Sequence, residues 1–438
     1  MDKTFSIKTL GCKLNQYESN MIAGRFLANG WTAKPFGDEN VDVVIINTCT
    51  VTDRSDKKCR NYIRQGARFA RTGRVIVTGC MSERDEGGVK NMPGVSAVYK
   101  NSEKEKIFFD TDKPHHAEAS APEIYSTYLT DDAEADCGIV TSSRLTRTRG
   151  FVKIQDGCDG ACSYCVVPSV RGVPSSREHG DILKHAEKLI NDGCPEIILT
   201  GITIGKYFNS GKKLSDIVND IAEIPGRFRV RISSIEPNHL TDDIISLLEN
   251  EKVCPHLHIP LQSGSDRILT KMKRRYTSGE YLALIKNIKS RYPDAAIGTD
   301  IIIGFPGEEE EDFKASLMMI EDAGFSYVHQ FTFSPRSGTE ASKMEQNCSS
   351  RIIKERSAMI RALSANAGLE YRRRFIGKIL PAVIEKNGNG DCYRAVSGNY
   401  IRISLEESPL NYKNAGQIAA VRLLEAETGR VRGIISAA

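Results

Sequence analysis

The sequence predicts an α/β protein in three parts: a parallel-sheet N-terminal domain, a partial (β/α)6 barrel and a small C-terminal five-stranded β-barrel. Three observations predict it. At 438 residues the chain exceeds one ordinary domain. Short Ile/Val-rich runs alternate with amphipathic segments along residues 1–370. Beyond them the alternation gives way to short β-like runs separated by turn signals.

In the first part, Thr4–Leu10, Val43–Asn47 and Val75–Thr78 read as buried strands, with Ser19–Asn29 and Asp56–Ala70 as the helices between them. Strand, helix, strand with short connections predicts a parallel sheet covered on both faces. Around Asp110–Asp136 the composition shifts to Asp, Glu, Ala, Ser and Thr, which marks a boundary. The second series has strands at Gly150–Gln155, Glu196–Thr200, Arg229–Ser233, His256–Pro260, Ala296–Ile303 and Tyr327–Phe333. Helices are expected at Asp181–Asp192, Thr241–Asn250, Ser278–Ser290 and Glu308–Ala323, the last opening on acidic residues that suit a helix N-terminus. Six such units predict an open barrel with its chemistry at the carboxyl ends of the strands. Ser349–Arg374 reads as one long helix ended by Gly377. Ile379–Glu385, Tyr393–Val396, Tyr400–Ser404, Gln417–Leu424 and Val431–Ile435 follow as strands, with Asn387-Gly388-Asn389-Gly390 as a turn. The expected domains are 1–125, 140–370 and 371–438, the last a barrel of a kind that often binds oligonucleotides.

Forty per cent hydrophobic and 26% charged residues describe a soluble globular chain. The opening has no apolar run of signal-peptide length, and Val41–Val51 and Ile297–Phe305 are too short to span a membrane. A cytoplasmic protein with no membrane partner is expected. The net charge is only +4, but from Arg372 onward eleven Lys or Arg stand against six acids, and Arg144–Arg149 is basic. Solvated surface and a nucleic-acid footprint explain such a balance equally well.

Twelve cysteines in a reducing compartment suggest metal or catalysis rather than disulfides. Cys158, Cys162 and Cys165 stand in CDGACSYC after the first barrel strand, on its active-site side. Three thiolates in one loop converge on an iron–sulfur cluster and leave one iron open. A structural zinc site needs a fourth ligand, for which only His179 is near, and a disulfide leaves an odd thiol. Cys12, Cys49 and Cys80 are scattered, yet each comes just after a predicted parallel strand, in IKTLGC, VIINTC and VIVTGC. Carboxyl ends of parallel strands form one rim, so these thiolates also converge on a metal centre, against the alternative of small core hydrophobes. Cys59, Cys137, Cys194, Cys254, Cys348 and Cys392 show no such pattern.

CxxxCxxC in the first barrel loop resembles the radical S-adenosylmethionine (SAM) superfamily. TLGCKLNQYES, NTCTVT, VTGC and CDGACSYCVVPSVRGVPSSR together resemble its methylthiotransferase family over essentially the whole chain, and the opening motif resembles the bacterial MtaB branch. The resemblance implies two 4Fe-4S clusters, on Cys158, Cys162 and Cys165 and on Cys12, Cys49 and Cys80. It also implies SAM at the open iron of the first and a TRAM-like RNA-binding C-terminal barrel. It implies transfer of a methylthio group to carbon 2 of N6-threonylcarbamoyladenosine at position 37, in the tRNA anticodon loop. One SAM methylates a sulfur at the N-terminal cluster and a second provides the radical. Neighbouring branches act on isopentenyladenosine in tRNA or on an aspartate of a ribosomal protein. A non-enzymic iron–sulfur or zinc protein that binds RNA is the rival of another class.

Candidate SAM contacts follow later strands: Gly201, Ser233, Glu236 and Gln262, each equally at home in an ordinary turn or helix cap. Arg372, Arg373, Arg374 and Lys378 are candidates for the RNA backbone, and Arg336, after the sixth strand, for the threonylcarbamoyl carboxylate. Arg336 is equally suited to a structural salt bridge. The reaction also requires a low-potential electron donor and a sulfur donor system, neither of which the sequence names.

Overall fold

A computed structural model of the chain describes residues 3–112, 148–386, 393–406 and 416–436. Most of the predicted linker, the turn at Asn387–Gly390, Arg144, Arg147, Cys137 and Cys392 lie outside the described residues. The described residues divide between two compact units. The first comprises residues 3–112 with 166–172, and the second 148–165 with 173–436.

The first unit carries strands β1 (Thr4–Thr9), β2 (Thr32–Ala33), β3 (Val41–Thr48), β4 (Ala70–Gly79) and β5 (Val95–Tyr99). Its helices are α1 (Lys13–Ala28), α2 (Asp53–Phe69), α3 (Cys80–Arg84), α4 (Glu86–Lys90), α5 (Lys106–Asp112) and α6 (Val167–Arg171). The parallel sheet runs β2-β1-β3-β4-β5. Its central strand β3, VDVVIINT, is buried at every position, the pattern of a strand covered on both faces. Thr52 caps α2 by accepting from Ser55 N, and Asp53 and Asp56 occupy its positive end. Strands β2 and β5 escaped the sequence reading because they are edge strands, exposed or only half-buried, without an apolar run.

The second unit adds β6 (Gly150–Lys153), β7 (Gln155–Asp156), β8 (Ser175–Ser176), β9 (Glu196–Thr200), β10 (Phe208–Asn209), β11 (Lys212–Lys213), β12 (Arg229–Ile232), β13 (His256–His258), β14 (Ala296–Ile303) and β15 (Tyr327–Thr332). Its helices are α7 (His179–Asn191), α8 (Leu214–Glu223), α9 (Asp242–Ser246), α10 (Asp266–Lys271), α11 (Ser278–Arg291), α12 (Glu310–Ala323) and α13 (Ser350–Arg373). Strands β6, β9 and β12 form one parallel sheet and β13, β14 and β15 another, joined by a parallel bridge between Val230 and Val253. This is the expected open barrel of six strands, with β6 and β15 at its edges. The helix expected over Thr241–Asn250 instead ends at Ser246 and tightens into a 3-10 turn at Leu247–Glu249.

Alternation along the barrel strands sorts the side chains. Val152, Ile197, Leu199, Val230, Ile232, Leu257, Ile301 and Val328 join the helices in the main hydrophobic core. Intervening positions carry Glu196, Arg229, Arg231, His256, His258, Asp300, Tyr327 and His329, so the inner face of the barrel is polar. Strands β16 (Ile379–Lys386), β17 (Tyr393–Ser397), β18 (Arg402–Leu405), β19 (Ile418–Glu427) and β20 (Arg430–Ile435) close a second, small barrel in the order β16-β17-β18-β20-β19. It is clamped to the larger one by buried arginines. Arg229 and Arg231 donate to Glu196 at 2.6 and 2.7 Å, and their other nitrogens donate to the carbonyls of Val396 (2.7 Å), Gly398 (2.9 Å) and Ser397 (3.1 Å).

Candidate functional sites

In the first unit, β1, β3 and β4 end level with one another: Thr9 pairs with Asn47, and Thr48 with Gly79. Cys12, Cys49 and Cys80 follow those ends, so three thiols far apart in sequence are delivered to one rim. Glycine makes the approach feasible. A Cβ at Gly11 would lie 2.8 Å from Cys49 Cβ and 3.2 Å from its Sγ, and one at Gly79 would sit 2.4 Å from Thr48 O. Both glycines hold φ near +100° (100° and 103°), a conformation that L side chains rarely adopt.

Cys49 and Cys80 are buried and Cys12 is exposed. Burial pushes the Cys49 thiol up to about 11, with neighbouring Cys80 and Cys12 adding to the effect. At neutral pH such a thiol stays protonated until a metal displaces the proton. Asn47 Oδ1, Thr78 Oγ1 and Ser82 Oγ are buried without a hydrogen bond, each two residues from Cys49 or Cys80. Orphaned polar atoms around converging sulfurs fit a bound inorganic group better than a hydrocarbon core. Cys49 also borders a cavity of about 340 Å³ lined by Lys8, Thr9, Leu10, Gly11, Ser55, Lys58 and Tyr62.

Cys59 gave no spacing signal. It lies on α2, fully buried, and its sulfur accepts from Cys49 N and donates to Cys49 O, both at 3.3 Å. Burial pushes its thiol up to about 12. It therefore brackets the Cys49 backbone instead of offering a reactive sulfur.

In the second unit, Cys158, Cys162 and Cys165 occupy the loop after β7. A Cβ at Gly160 would be 3.1 Å from Cys158 Sγ and 3.9 Å from Cys162 Sγ, so these sulfurs face one point. N–H groups already address them: Gly160 N donates to Cys158 Sγ at 3.2 Å, and Arg274 Nη1 to Cys162 Sγ at 3.2 Å. Donors of this kind stabilise thiolates and suit an iron–sulfur cluster. The loop is pinned through Ser163, whose Oγ donates to Lys271 O (2.7 Å), whose N donates to Met272 O (3.1 Å), and whose O accepts from Ala341 N (2.8 Å).

The strand-end candidates lie on the loops expected of them. A Cβ at Gly201 would sit 2.6 Å from Gln155 O, so only glycine fits. Gln155 Oε1 latches that loop by accepting from Ile202 N (3.1 Å) and Thr203 N (2.6 Å), while its Nε2 donates to Gly157 O beside Cys158 (2.9 Å). Ser233 is buried, its N bonded to Leu199 O at 3.2 Å. Glu236 accepts from Arg274 Nη2, which places the carboxylate one residue from Cys162. Gln262 holds φ 73°, a strained conformation of the sort kept at functional sites. Sequence reasoning missed Arg274. Its only signal was the basic run Lys273-Arg274-Arg275 after α10, which by itself suggests a solvated surface, yet its side chain is 5% exposed.

Arg336, the candidate for the threonylcarbamoyl carboxylate, is buried, 3% exposed. Of the basic residues at the end of α13, Arg373 pairs with Glu370 (2.7 Å), and Arg374 and Lys378 pair with Asp294 (3.2 and 3.5 Å), while Arg372 is half-buried. The exposed pairs are worth at most about 1 kcal/mol each. His258 Nε2 and His329 Nδ1 both approach Asp300 Oδ1, at 3.1 and 3.4 Å, on the inner face of the barrel. Burial pushes the Asp300 carboxyl up, but the two histidines outweigh it and hold it at about 2.

Residues 152–320 match the Radical SAM superfamily and residues 4–99 match the uncharacterized protein family UPF0004. The chain is 33% identical to the threonylcarbamoyladenosine tRNA methylthiotransferase MtaB of Bacillus subtilis, over 97% of this chain and 94% of that protein. It is 31% identical to a tRNA-2-methylthio-N(6)-dimethylallyladenosine synthase of Corynebacterium efficiens, over 90% of this chain and 78% of that one. In fold it is similar to the radical S-adenosylmethionine methyltransferase TsrM of Kitasatospora setae, with a TM-score of 0.54 at 13% identity, covering 76% of this chain and 75% of that one. A relative at one-third identity over nearly the full length of both chains leads to one conclusion: the chain belongs to the radical SAM methylthiotransferase family.

Proposed function

We propose that the chain transfers a methylthio group to carbon 2 of N6-threonylcarbamoyladenosine at position 37 of tRNA. The observation that carries the reading is the pair of three-thiol sites, one in each unit; a further cysteine, Cys59, lies beside the first, but its sulfur is engaged with the Cys49 backbone. Two sites of this kind suit a reaction that needs both a radical and a sulfur source. The opening TLGCKLNQYES and the full-length MtaB relative favour the threonylcarbamoyl substrate over the isopentenyl one. The identities of 33% and 31% differ too little to decide by themselves.

In this reading Cys158, Cys162 and Cys165 hold one 4Fe-4S cluster and Cys12, Cys49 and Cys80 a second. When bound, the clusters and SAM supply one-electron chemistry that removes the unreactive hydrogen of carbon 2, together with the sulfur and methyl that replace it. The chain's residues bind and orient. Arg274 donates to Cys162 and holds Glu236 beside it. Gly201, Ser233, Glu236 and Gln262 line the strand ends where SAM is expected. His258 and His329 lie beside Asp300 on the polar inner face, which suits a purine better than an apolar substrate. The C-terminal barrel, TRAM-like in this reading, offers Arg372, Arg373, Arg374 and Lys378 to the phosphates of the anticodon stem-loop. Adenosine 37 lies in a single-stranded loop, so it is presented at a small unstacking cost. Among the described residues no helix is long and apolar enough to cross a membrane, and we place the enzyme in the cytoplasm with its tRNA.

The test is mass spectrometry of nucleosides from total tRNA in cells lacking the gene, complemented with the wild type, Cys49→Ala or Cys158→Ala. The 2-methylthio-N6-threonylcarbamoyl nucleoside should return only with the wild type. If the isopentenyl analogue responds instead, the branch is wrong. If no tRNA nucleoside responds, the substrate is not tRNA, and a ribosomal-protein aspartate is the next to examine.

A further inference from the structure

We propose that Arg171 is a positioning residue of the Cys12–Cys49–Cys80 site, supplying through Cys80 the positive charge that retains a sulfur-rich anionic cluster there. The proposal rests on the reading of that site as a second cluster site.

Arg171 is the last residue of α6, part of the first unit. Its side chain is 1% exposed. Its Nε donates to Cys80 Sγ at 3.4 Å, Nη1 donates to Glu18 Oε1, and Nη2 donates to Asn15 Oδ1 and, at 3.1 Å, to Glu18 Oε2. Asn15 carries the grip further, because its Nδ2 donates to Leu10 O (2.7 Å) and Thr48 O (2.8 Å), carbonyls that precede Cys12 and Cys49. One guanidinium thus touches a sulfur directly and steadies both other thiol-bearing loops.

The charge count separates this from a structural ion pair. Glu18 alone would neutralise Arg171, yet Lys104 Nζ also donates to Glu18, from a side chain 8% exposed. Two buried basic groups share one carboxylate. Buried charge is costly unless compensated, and besides Glu18 and Asn15 Arg171 also addresses a cysteine sulfur. A cluster held by thiolates at that sulfur would bring further negative charge to the pair. Hydrogen bonds and positive charge at a ligand sulfur raise a cluster's reduction potential and slow its loss. The sequence adds a further point. Arg171 stands six residues after Cys165, so the run Cys158–Arg171 contributes the thiols of one site and the buried charge of the other.

The experiment uses the full chain with Cys158, Cys162 and Cys165 all changed to Ala, reconstituted anaerobically with iron and sulfide, so that any remaining cluster belongs to the N-terminal site. On this background Arg171→Met should lose iron to a chelator about 10- to 100-fold faster and show a lower midpoint potential. Arg171→Lys, which keeps the charge, should restore much of the potential and part of the retention. Glu18→Gln removes the neutralising carboxylate and should move the potential upward. That opposite sign is one that a merely structural role does not produce, and it keeps the test decisive if Arg171→Met folds poorly. Parental iron retention and potential in Arg171→Met, or shifts of the same sign in Arg171→Met and Glu18→Gln, overturn the proposal. If the parent holds no cluster with Arg171 intact, the two-site reading falls and this proposal falls with it.

Discussion

Replacing Glu196 by Gln should unlock the small C-terminal barrel from the six-stranded one. Glu196 is fully buried, and Arg229 and Arg231, with side chains 7% and 0% exposed, depend on it for charge compensation while gripping carbonyls of residues 396–398. Removing one partner of a buried ion pair costs about 3–5 kcal/mol, because the other charge is left uncompensated. In a unit of this size each kcal/mol shifts Tm by about 2–4 °C, so the expected loss is roughly 10 °C. The pH dependence gives a second handle. Burial alone pushes the Glu196 carboxyl up, and the Arg231 and Arg229 guanidiniums more than reverse it, holding it well below the usual carboxylate range. A carboxyl lowered by folding contributes stability above its unfolded pKa of about 4.3, and that contribution is lost as pH falls through the folded value. The gap in Tm between wild type and Glu196→Gln should therefore be flat from about pH 8 to 5 and close only in stronger acid. Scanning fluorimetry of anaerobic protein across that range measures it, and binding of a labelled anticodon stem-loop should weaken in parallel. A Tm within about 1 °C of wild type at neutral pH would show that the arginine–carboxylate cluster does not hold the barrel.

Two further outcomes are expected. Arg274→Met removes the N–H donated to Cys162 and the partner of Glu236, so SAM cleavage, read as 5′-deoxyadenosine released, should fall about 10- to 100-fold with cluster content. Full activity would leave Arg274 a mere core cation. Cys59→Ala deletes the thiol that brackets Cys49, at about 1 kcal/mol in stability, and should reduce methylthiolation while 5′-deoxyadenosine release persists. An equal fall in both products would contradict a role confined to the first unit.

Much of the fold was legible in the residues. Strands β9 and β14 fall at the expected residues, and the long helix α13 within one residue of its predicted ends, because dense Ile/Val runs and helical periodicity need no tertiary context. Edge strands β2 and β5 were not legible, since an edge strand need not be apolar. The two cysteine triads were legible for different reasons. CDGACSYC is a local ligand loop, whereas Cys12, Cys49 and Cys80 became visible through the rule that parallel strands end on one rim.

By itself, then, the sequence marked the main strands and helices in order, singled out two groups of thiols and pointed to the family to which the chain belongs, all of which rest on local patterns or on strand polarity. Only the tertiary structure decided which charges serve those thiols. Nothing in the sequence analysis singled out Arg171, Arg274, Glu18 or Lys104, and folding buries each beside a partner distant in sequence. It likewise withdrew Arg336 from solvent and gave Arg374 and Lys378 acidic neighbours. The reason is physical: a thiol's role follows from its spacing along the chain, but a charge acquires its role from the desolvation and the counter-charges that only a folded neighbourhood supplies.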